Sequence, residues 1–267
     1  YGLLADVSIA KLLIAGVVPG LVVTLTIALT VFYLAVRNPE HAPLLPKASW
    51  GEGMAALRLV GPMLVLLTSV TGVIYLGVAT PTEASAIGAL CAAGLYFMRA
   101  RRTPGEVYGV FSRATRTACM LAMIILGAHV FSTFFALTQT TQNVIGWVGS
   151  LPVDRWVILL IIVFIYVILG CFLDQMAILV LTIPIVAPLL KSMGFDLVWF
   201  GVIAIVTAEL GMVTPPFGLN VFVVAKYSRM PVAKVFQGTL PHVIAHFIAI
   251  GLLLLFPALS LWLPSKM

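Results

Sequence analysis

Two carboxylates inside long apolar stretches are the residues best suited to bind or carry a cation. Asp174 and Glu209 lie within residues 156–190 and 198–225, and neither stretch contains a lysine or an arginine. A buried carboxylate is costly unless it is protonated, paired or hydrogen-bonded. We therefore expect each one to hold a bound cation, a proton or a hydrogen-bond network. The alternative is that nearby hydroxyl groups and backbone amides satisfy both.

The second apolar stretch is interrupted by Thr-Pro-Pro at residues 214–216. The two prolines remove successive amide donors and favour extended backbone before each of them. We expect the carbonyl groups of Glu209, Leu210 and Gly211, and nearby ones, to lose their helical partners as a result. Together with the Thr214 hydroxyl, free carbonyl oxygens would suit a hard cation such as Na⁺.

A second half-helix is predicted to start at Phe217, with its positive end available to a substrate carboxylate. Gly218 would let a ligand approach the backbone, and Asn220 can donate or accept a hydrogen bond. A simple proline kink is the alternative. The candidate ion- and substrate-binding residues are Gly170, Asp174, Glu209, Gly211, Thr214, Pro215, Pro216, Gly218 and Asn220, and the Na⁺ candidates among them are Asp174, Thr214 and Gly211.

The elements that position these residues are a hairpin and a broken helix. Residues 155–169 and 177–190 are apolar but short for a full crossing, and a Gly- and Asp-containing tip at residues 170–175 separates them. This pattern predicts a re-entrant hairpin over about residues 155–190, with a further helix break at residues 182–184. A helix over about residues 198–228, unwound in the middle, would follow.

The composition excludes an ordinary soluble domain, because 62% of the residues are hydrophobic and only 9% are charged. We predict an all-α polytopic membrane protein with about six crossings, the hairpin and the broken helix. Residues 1–137 would form scaffold and connecting helices with interfacial arms, including an interfacial helix at 104–115. Residues 138–230 would form half of a transport domain, and residues 231–267 a C-terminal crossing.

The basic residues indicate the orientation in the membrane rather than a nucleic-acid partner. Eleven of the fifteen lie in segments 37–58, 99–116 and 226–234, which fall on one side if the hairpin does not cross. Positively charged loops favour the cytoplasmic side. Trp147, Trp156, Trp199 and Trp262 lie near proposed span ends and are typical of interface anchors.

Glu83 is a third carboxylate at membrane depth, but its context predicts a structural role. Thr80, Pro81 and Glu83 have the spacing of a helix start in which the glutamate accepts from the capping residue's amide. Cap formation is therefore favoured over ion binding.

These motifs resemble the C-terminal portion of the large membrane subunit of tripartite ATP-independent periplasmic (TRAP) transporters. The resemblance extends over nearly the whole chain. It is carried by Gly170-x-Phe172-Leu173-Asp174, Thr182-x-Pro184-Ile185, Glu209-x-Gly211-x-x-Thr214-Pro215-Pro216-x-Gly218-Leu219-Asn220-x-Phe222, Thr80-Pro81-Thr82-Glu83-Ala84, Phe256-Pro257-Ala258-Leu259 and Trp262-Leu263-Pro264.

The resemblance implies a Na⁺-coupled elevator-type symporter of the bacterial inner membrane, built from two inverted repeats. A small membrane subunit would brace the scaffold, and a periplasmic binding protein would deliver an organic anion of the carboxylate or sialic acid class. No cofactor other than the coupling ion is implied. The second repeat would contain residues 170–174 and 214–220, and we expect a first repeat to precede Tyr1.

Three alternatives remain open from the sequence. Asp174 and Glu209 could couple transport to protons or to ion exchange. An intramembrane enzyme could use His129, His242 or His246 with a carboxylate. A scaffold subunit without transport activity is the third.

Overall fold

The computed structural model describes residues 1–41, 49–99 and 103–267, and within these ranges the chain is helical with no strand. The helices are α1 (Ile9–Ala15), α2 (Val17–Arg37), α3 (Trp50–Tyr75), α4 (Pro81–Arg99), α5 (Pro104–Leu137), α6 (Thr140–Gly149), α7 (Arg155–Phe172), α8 (Gln175–Ser192), α9 (Leu197–Val213), α10 (Leu219–Ser228), α11 (Val232–Leu255) and α12 (Ala258–Leu261). Short 3₁₀ turns occupy Pro39–His41 and Pro264–Lys266.

Five helical segments in the described ranges are long and apolar enough to cross a membrane. They are Ile9–Arg37, α5, α7, α8 and α11, and the bent pair Trp50–Arg58 and Val60–Tyr75 would make six. The prediction of an all-α polytopic membrane protein is confirmed. Parts of two predicted basic segments, residues 42–48 and 100–102, lie outside the described residues.

Three predicted boundaries are wrong. The helices on either side of the tip are each 18 residues long rather than about 15, or about 27 Å, which is close to the thickness of the hydrocarbon core. The predicted interfacial helix at 104–115 continues without a break into the following span as α5. The predicted break at residues 182–184 is absent, because α8 contains Pro184 and Pro188 within one continuous helix.

One carbonyl group that the prolines of α8 leave without a backbone donor meets a neighbouring helix. Pro188 has no amide hydrogen to offer the carbonyl group of Pro184 four residues earlier. The hydroxyl group of Thr141 in α6 lies 3.5 Å from that carbonyl oxygen and donates to it. A hydroxyl group from another helix thus lies where the amide of residue 188 would donate in a regular helix.

The chain divides into two compact units, Tyr1–Leu34 with Met123–Lys266 and Ala35–Ala122. In the second unit, α3 packs on α4, and a side chain at Gly88 would meet Val70 at 2.8 Å. The predicted cap at Glu83 is confirmed. Its carboxylate accepts from the backbone amide of Thr80 at 2.8 Å, and the Thr80 hydroxyl accepts from the Glu83 amide at 3.3 Å.

Helix α9 is the centre of the first unit, where it contacts α1, α7, α8, α10, α11 and α12. Trp199, predicted to be an interface anchor, is instead 2% exposed and belongs to this core. Its ring stacks on the ring of Phe195. Its indole nitrogen donates to the Leu253 carbonyl in α11 at 2.9 Å. The prediction for Trp199 fails because hydropathy cannot distinguish a tryptophan at a bilayer surface from one buried between helices.

We expect Trp199→Phe to lower the free energy of unfolding in detergent by roughly 1–3 kcal/mol, because the buried Leu253 carbonyl would lose its donor. Thermal unfolding monitored by intrinsic fluorescence and by aggregation measures this. Trp147→Phe is the matched control, since Trp147 is 66% exposed. Equal stability of the two variants would contradict a core role for the Trp199 hydrogen bond.

Candidate functional site

Helices α7 and α8 form an antiparallel hairpin. Near the middle, the hydroxyl groups of Tyr166 and Thr182 share a hydrogen bond. At the open end, the guanidinium group of Arg155 donates to the Met193 carbonyl at 3.2 Å, so that the start of α7 lies beside the end of α8. Only Leu173 and Asp174 are non-helical at the tip. Gly170, predicted to be part of the tip, lies inside α7.

The broken helix is present where the proline pair predicts it. Helix α9 ends at Val213 and α10 begins at Leu219, so that residues 214–218 are unwound. Thr214 has an extended backbone, with φ −95° and ψ 138°, as expected before a proline. Gly218 has φ +29°, a conformation that L side chains rarely adopt, which explains the glycine at this turn.

The carbonyl groups affected by the break differ from those predicted. Glu209 lies four residues before Val213, the last residue of α9, and therefore stays within the helical ladder. The Leu210 carbonyl accepts from the Thr214 hydroxyl at 2.6 Å, and the Gly211 carbonyl accepts from the Thr214 amide at 3.0 Å. The prediction is therefore wrong for Glu209. The Leu210 carbonyl has lost its helical amide partner and accepts from a hydroxyl group instead, and Gly211 retains one bond.

Met212 supplies one of the nearby carbonyl groups that the prediction included without naming. In an α-helix its partner would be the amide of residue 216, which is a proline. No donor in the described ranges bonds to the Met212 carbonyl. Its oxygen and that of Thr214 both face Gly218, since a side chain added there would lie 3.3 Å and 3.1 Å from them. Counting four residues back from each proline would have identified this carbonyl from the sequence.

The hairpin tip lies directly against the break. The thiol of Cys171 is 3.5 Å from the Pro215 carbonyl oxygen, and the rings of Phe172 and Phe217 are 5.1 Å apart. The Gln175 side chain donates to the backbone carbonyl of Ile205 in α9 at 3.3 Å. The fold therefore brings the two motifs together. No pattern in the sequence predicts the contacts of Cys171, Phe172 and Gln175.

Asp174 is the N-cap of α8. Its carboxylate accepts from the Ala177 amide at 2.9 Å, the arrangement in which an aspartate satisfies an otherwise unpaired donor of the first helical turn. Asp154 and Asp196 cap α7 and α9 in the same way. The hairpin and the broken helix thus each begin with an aspartate cap. Asp174 therefore has a structural role as the cap of α8.

Glu209 has no comparable partner. Six of the nine acidic residues cap helices, namely Asp154, Asp174, Asp196, Glu52, Glu83 and Glu106. The others are Asp6, Glu40 and Glu209, of which Glu209 alone lies within an α-helix. Within the part of the chain that the structure describes, no hydrogen bond or ion pair involves the Glu209 carboxylate.

Both candidate carboxylates are exposed at the surface of the chain itself, and other described residues do not cover them. Glu209 is the single exposed residue of α9, whose other residues are buried or half-buried. Ile205 and Met212 lie one turn to either side of it and are half-buried. An open strip of α9 therefore carries a carboxylate one turn before the break.

The remaining candidate residues lie around the same break. Pro215, Pro216 and Asn220 are exposed, and Thr214 is half-buried. Gly218 is buried, and a side chain there would meet Phe236 of α11 at 3.0 Å. In the described residues no side chain caps the first turn of α10. The Val221 amide donates to the Gly218 carbonyl at 2.8 Å, which leaves the amides of Leu219 and Asn220 for a ligand.

A transition-metal centre finds no support among the described residues, where no three His, Cys, Asp or Glu side chains cluster. His246 of α11 bonds through its Nδ1 atom to the His242 backbone carbonyl at 3.0 Å. The oxygen-rich surroundings of the break suit a hard cation instead.

The sequence matches the family described as "Tripartite ATP-independent periplasmic transporter, DctM component" over residues 1–259. It is 33% identical over 267 residues to the C4-dicarboxylate TRAP transporter large permease protein DctM of Pseudomonas aeruginosa, covering 99% of this chain and 62% of that protein. It is 29% identical to the sialic acid TRAP transporter large permease protein SiaM of Vibrio cholerae, with the same coverage.

A third relative is the ectoine TRAP transporter large permease protein TeaC of Halomonas elongata, which is 30% identical over 265 residues, or 98% of this chain and 61% of that protein. The chain thus spans about three fifths of the length of these curated relatives. The three relatives are named as permeases rather than as enzymes.

Proposed function

The chain belongs to the DctM-component family of tripartite ATP-independent periplasmic transporters, and we propose that it forms an ion- and substrate-binding part of a Na⁺-coupled importer of a small organic anion. The observation that carries the proposal is the contact between the hairpin tip and the unwound residues 214–218. Interrupted helices at membrane depth supply ion and substrate sites in secondary transporters.

The proposed Na⁺ ligands are oxygen atoms at the break. The Met212 carbonyl has no amide partner, and the Gly211 carbonyl and the Thr214 hydroxyl each make one hydrogen bond and retain a lone pair. The Asp174 carboxylate keeps one oxygen beyond the atom that caps α8. Glu209 would add negative charge from the open strip of α9.

The proposed substrate group at the break is a carboxylate. The uncapped first turn of α10 carries amide groups and the positive end of a helix dipole. Gly218 and Asn220 border that turn. The relatives are named for C4-dicarboxylates, sialic acid and ectoine, which supports a small polar substrate of the carboxylate or sialic acid class.

The proposed setting is a bacterial inner membrane, with basic segments 37–58, 99–116 and 226–234 in the cytoplasm. A small membrane subunit and a periplasmic binding protein would complete the assembly, as the family's name for a tripartite transporter supports. In this setting α7 and α8 form a re-entrant hairpin. Residues 138–230 then belong to a moving elevator domain, and residues 1–137 and 231–267 supply the scaffold and a further crossing.

The test is uptake into proteoliposomes that hold the assembled transporter containing this chain, with the binding protein and a labelled substrate. We expect an inward Na⁺ gradient to drive accumulation and an equal K⁺ gradient to fail. Equal uptake with the two cations would defeat the Na⁺ proposal.

Proton coupling is the second candidate, and the observation that favours it is the carboxylate of Glu209, which has no partner in the described residues. Uptake that follows an imposed pH gradient and is indifferent to Na⁺ would establish it. The same proteoliposomes distinguish the two mechanisms, because the pH and Na⁺ gradients can be set independently.

A further inference from the structure

Helices α7 and α9 make an unusually close contact at Gly170 and Gly211. A side chain added at Gly170 would lie 2.7 Å from the Ala208 carbonyl oxygen and 2.8 Å from the Gly211 Cα. One added at Gly211 would lie 2.5 Å from the Gly170 Cα and 2.7 Å from the Val167 carbonyl oxygen. Every one of these neighbours is backbone, so neither helix can accept a methyl group without moving away from the other.

The crossing lies immediately beside both functional segments. Gly170 is four residues before Asp174 at the tip, and Gly211 is three residues before Thr214 at the break. The next residue of α7 continues the contact, since the buried Cys171 sulfur lies 3.3 Å from the Val167 carbonyl oxygen of its own helix and 3.5 Å from the Pro215 carbonyl oxygen of the break. A displacement of α7 relative to α9 at the crossing would therefore also move the tip and the break.

We propose that Gly170, Gly211 and Cys171 are positioning residues that fix the distance between the hairpin tip and the helix break. The absent side chains of the two glycines set the approach of the backbones, and the thiol maintains it one residue further along. The inference rests on the proposed function, since it concerns the geometry of the same site. It is separate from the proposed ligand role of the Gly211 carbonyl, because it concerns the missing side chains of the two glycines at the crossing of α7 and α9.

Gly170→Ala and Gly211→Ala test the proposal in the assembled transporter. We expect each to raise the Na⁺ concentration at half-maximal uptake about tenfold, because an overpacked contact shifts backbone and ligand oxygens move with it. Gly238→Ala and Gly251→Ala are matched helical controls in α11, where an added side chain meets nothing within 4 Å. The controls are expected to behave like the unmodified protein.

Cys171→Ala is a milder variant that adds no bulk and keeps the test informative if an alanine at either glycine prevents folding. It removes a weak donor and leaves the backbone contact in place. We expect a smaller rise, about twofold, in the half-saturating Na⁺ concentration, with the maximal uptake rate retained. An unchanged Na⁺ response in Cys171→Ala would exclude the thiol from the positioning role.

Cross-linking measures the tip-to-break distance without reference to transport. Phe172→Cys with Phe217→Cys is made in a chain with Cys91→Ala and Cys119→Ala, and membranes are treated with a short bifunctional thiol reagent. Because Cys171 remains, the single variants Phe172→Cys and Phe217→Cys in the same background measure the cross-linking that passes through it. We expect efficient cross-linking that falls several-fold when Gly211→Ala is added, whereas Gly251→Ala leaves it unchanged.

The two readouts separate failure of this inference from failure of the proposed function. If uptake by the unmodified transporter ignores Na⁺, the proposed function fails while the cross-linking still tests the positioning role. If uptake depends on Na⁺ but the two glycine variants keep normal Na⁺ response and normal cross-linking, the positioning role is overturned.

Discussion

Replacing Pro215 and Pro216 together with alanine is expected to raise the half-saturating Na⁺ concentration for uptake by about tenfold or more, the scale on which altered ligand surroundings change metal affinity. Alanine at 215 regains an amide for the Gly211 carbonyl, and alanine at 216 regains one for the Met212 carbonyl. Because proline is about 3 kcal/mol less favourable than alanine inside a helix, closure of α9 onto α10 is favoured in the variant.

The same substitution should affect folding less than ion coupling, because it adds hydrogen bonds within a helix. Pro62→Ala in α3 and Pro241→Ala in α11 are matched controls, since both prolines lie inside helices away from the break. Na⁺ dependence is measured as initial uptake against Na⁺ concentration. A double variant with a normal Na⁺ response would count against cation binding by the carbonyl groups of the break.

Glu209→Gln is expected to reduce Na⁺-driven uptake by about tenfold or more while leaving stability unchanged. The substitution removes the charge but no contact, because the Glu209 carboxylate has no partner in the described residues. A carboxylate within a membrane helix is costly to keep and is therefore expected to serve ion or proton transfer. Uptake driven separately by Na⁺ and by a pH gradient shows which of the two depends on it.

Asp174→Asn separates the negative charge of the Asp174 side chain from its capping role. Asparagine caps helices about as well as aspartate, so we expect little change in stability. A loss of Na⁺-driven uptake would then reflect loss of charge at the tip. Asp154→Asn is the matched control, since Asp154 caps α7 in the same way. Normal transport in both Glu209→Gln and Asp174→Asn would remove the carboxylates from the coupling mechanism.

Much of the fold follows from interactions within a few residues along the chain. The break after Val213, the cap at Glu83 and the apolar helices were all predictable. A proline acts on carbonyl groups three or four residues earlier, and a capping residue acts on amides two or three residues later. Counting four residues back from each proline identifies the Met212 carbonyl in the same way.

Other predictions failed at residues that have a partner far away in the sequence. The proline-containing segment of α8 stays helical, and the Pro184 carbonyl, which Pro188 leaves without a backbone donor, accepts from Thr141 of α6, 43 residues away in sequence. Trp199 is buried because α11 places the Leu253 carbonyl beside it. Neither partner can be identified from the residues surrounding Pro184 or Trp199.

The sequence by itself determined the apolar helices, the cap at Glu83 and the break after Val213, since these depend on backbone donors and acceptors close along the chain. Only the tertiary structure decided what the site residues do. It placed Gly170 against Gly211, engaged Asp174 as a cap and left Glu209 on an open strip of α9. The physical reason is that side-chain roles depend on which helix faces are in contact, and packing joins residues that are far apart in sequence.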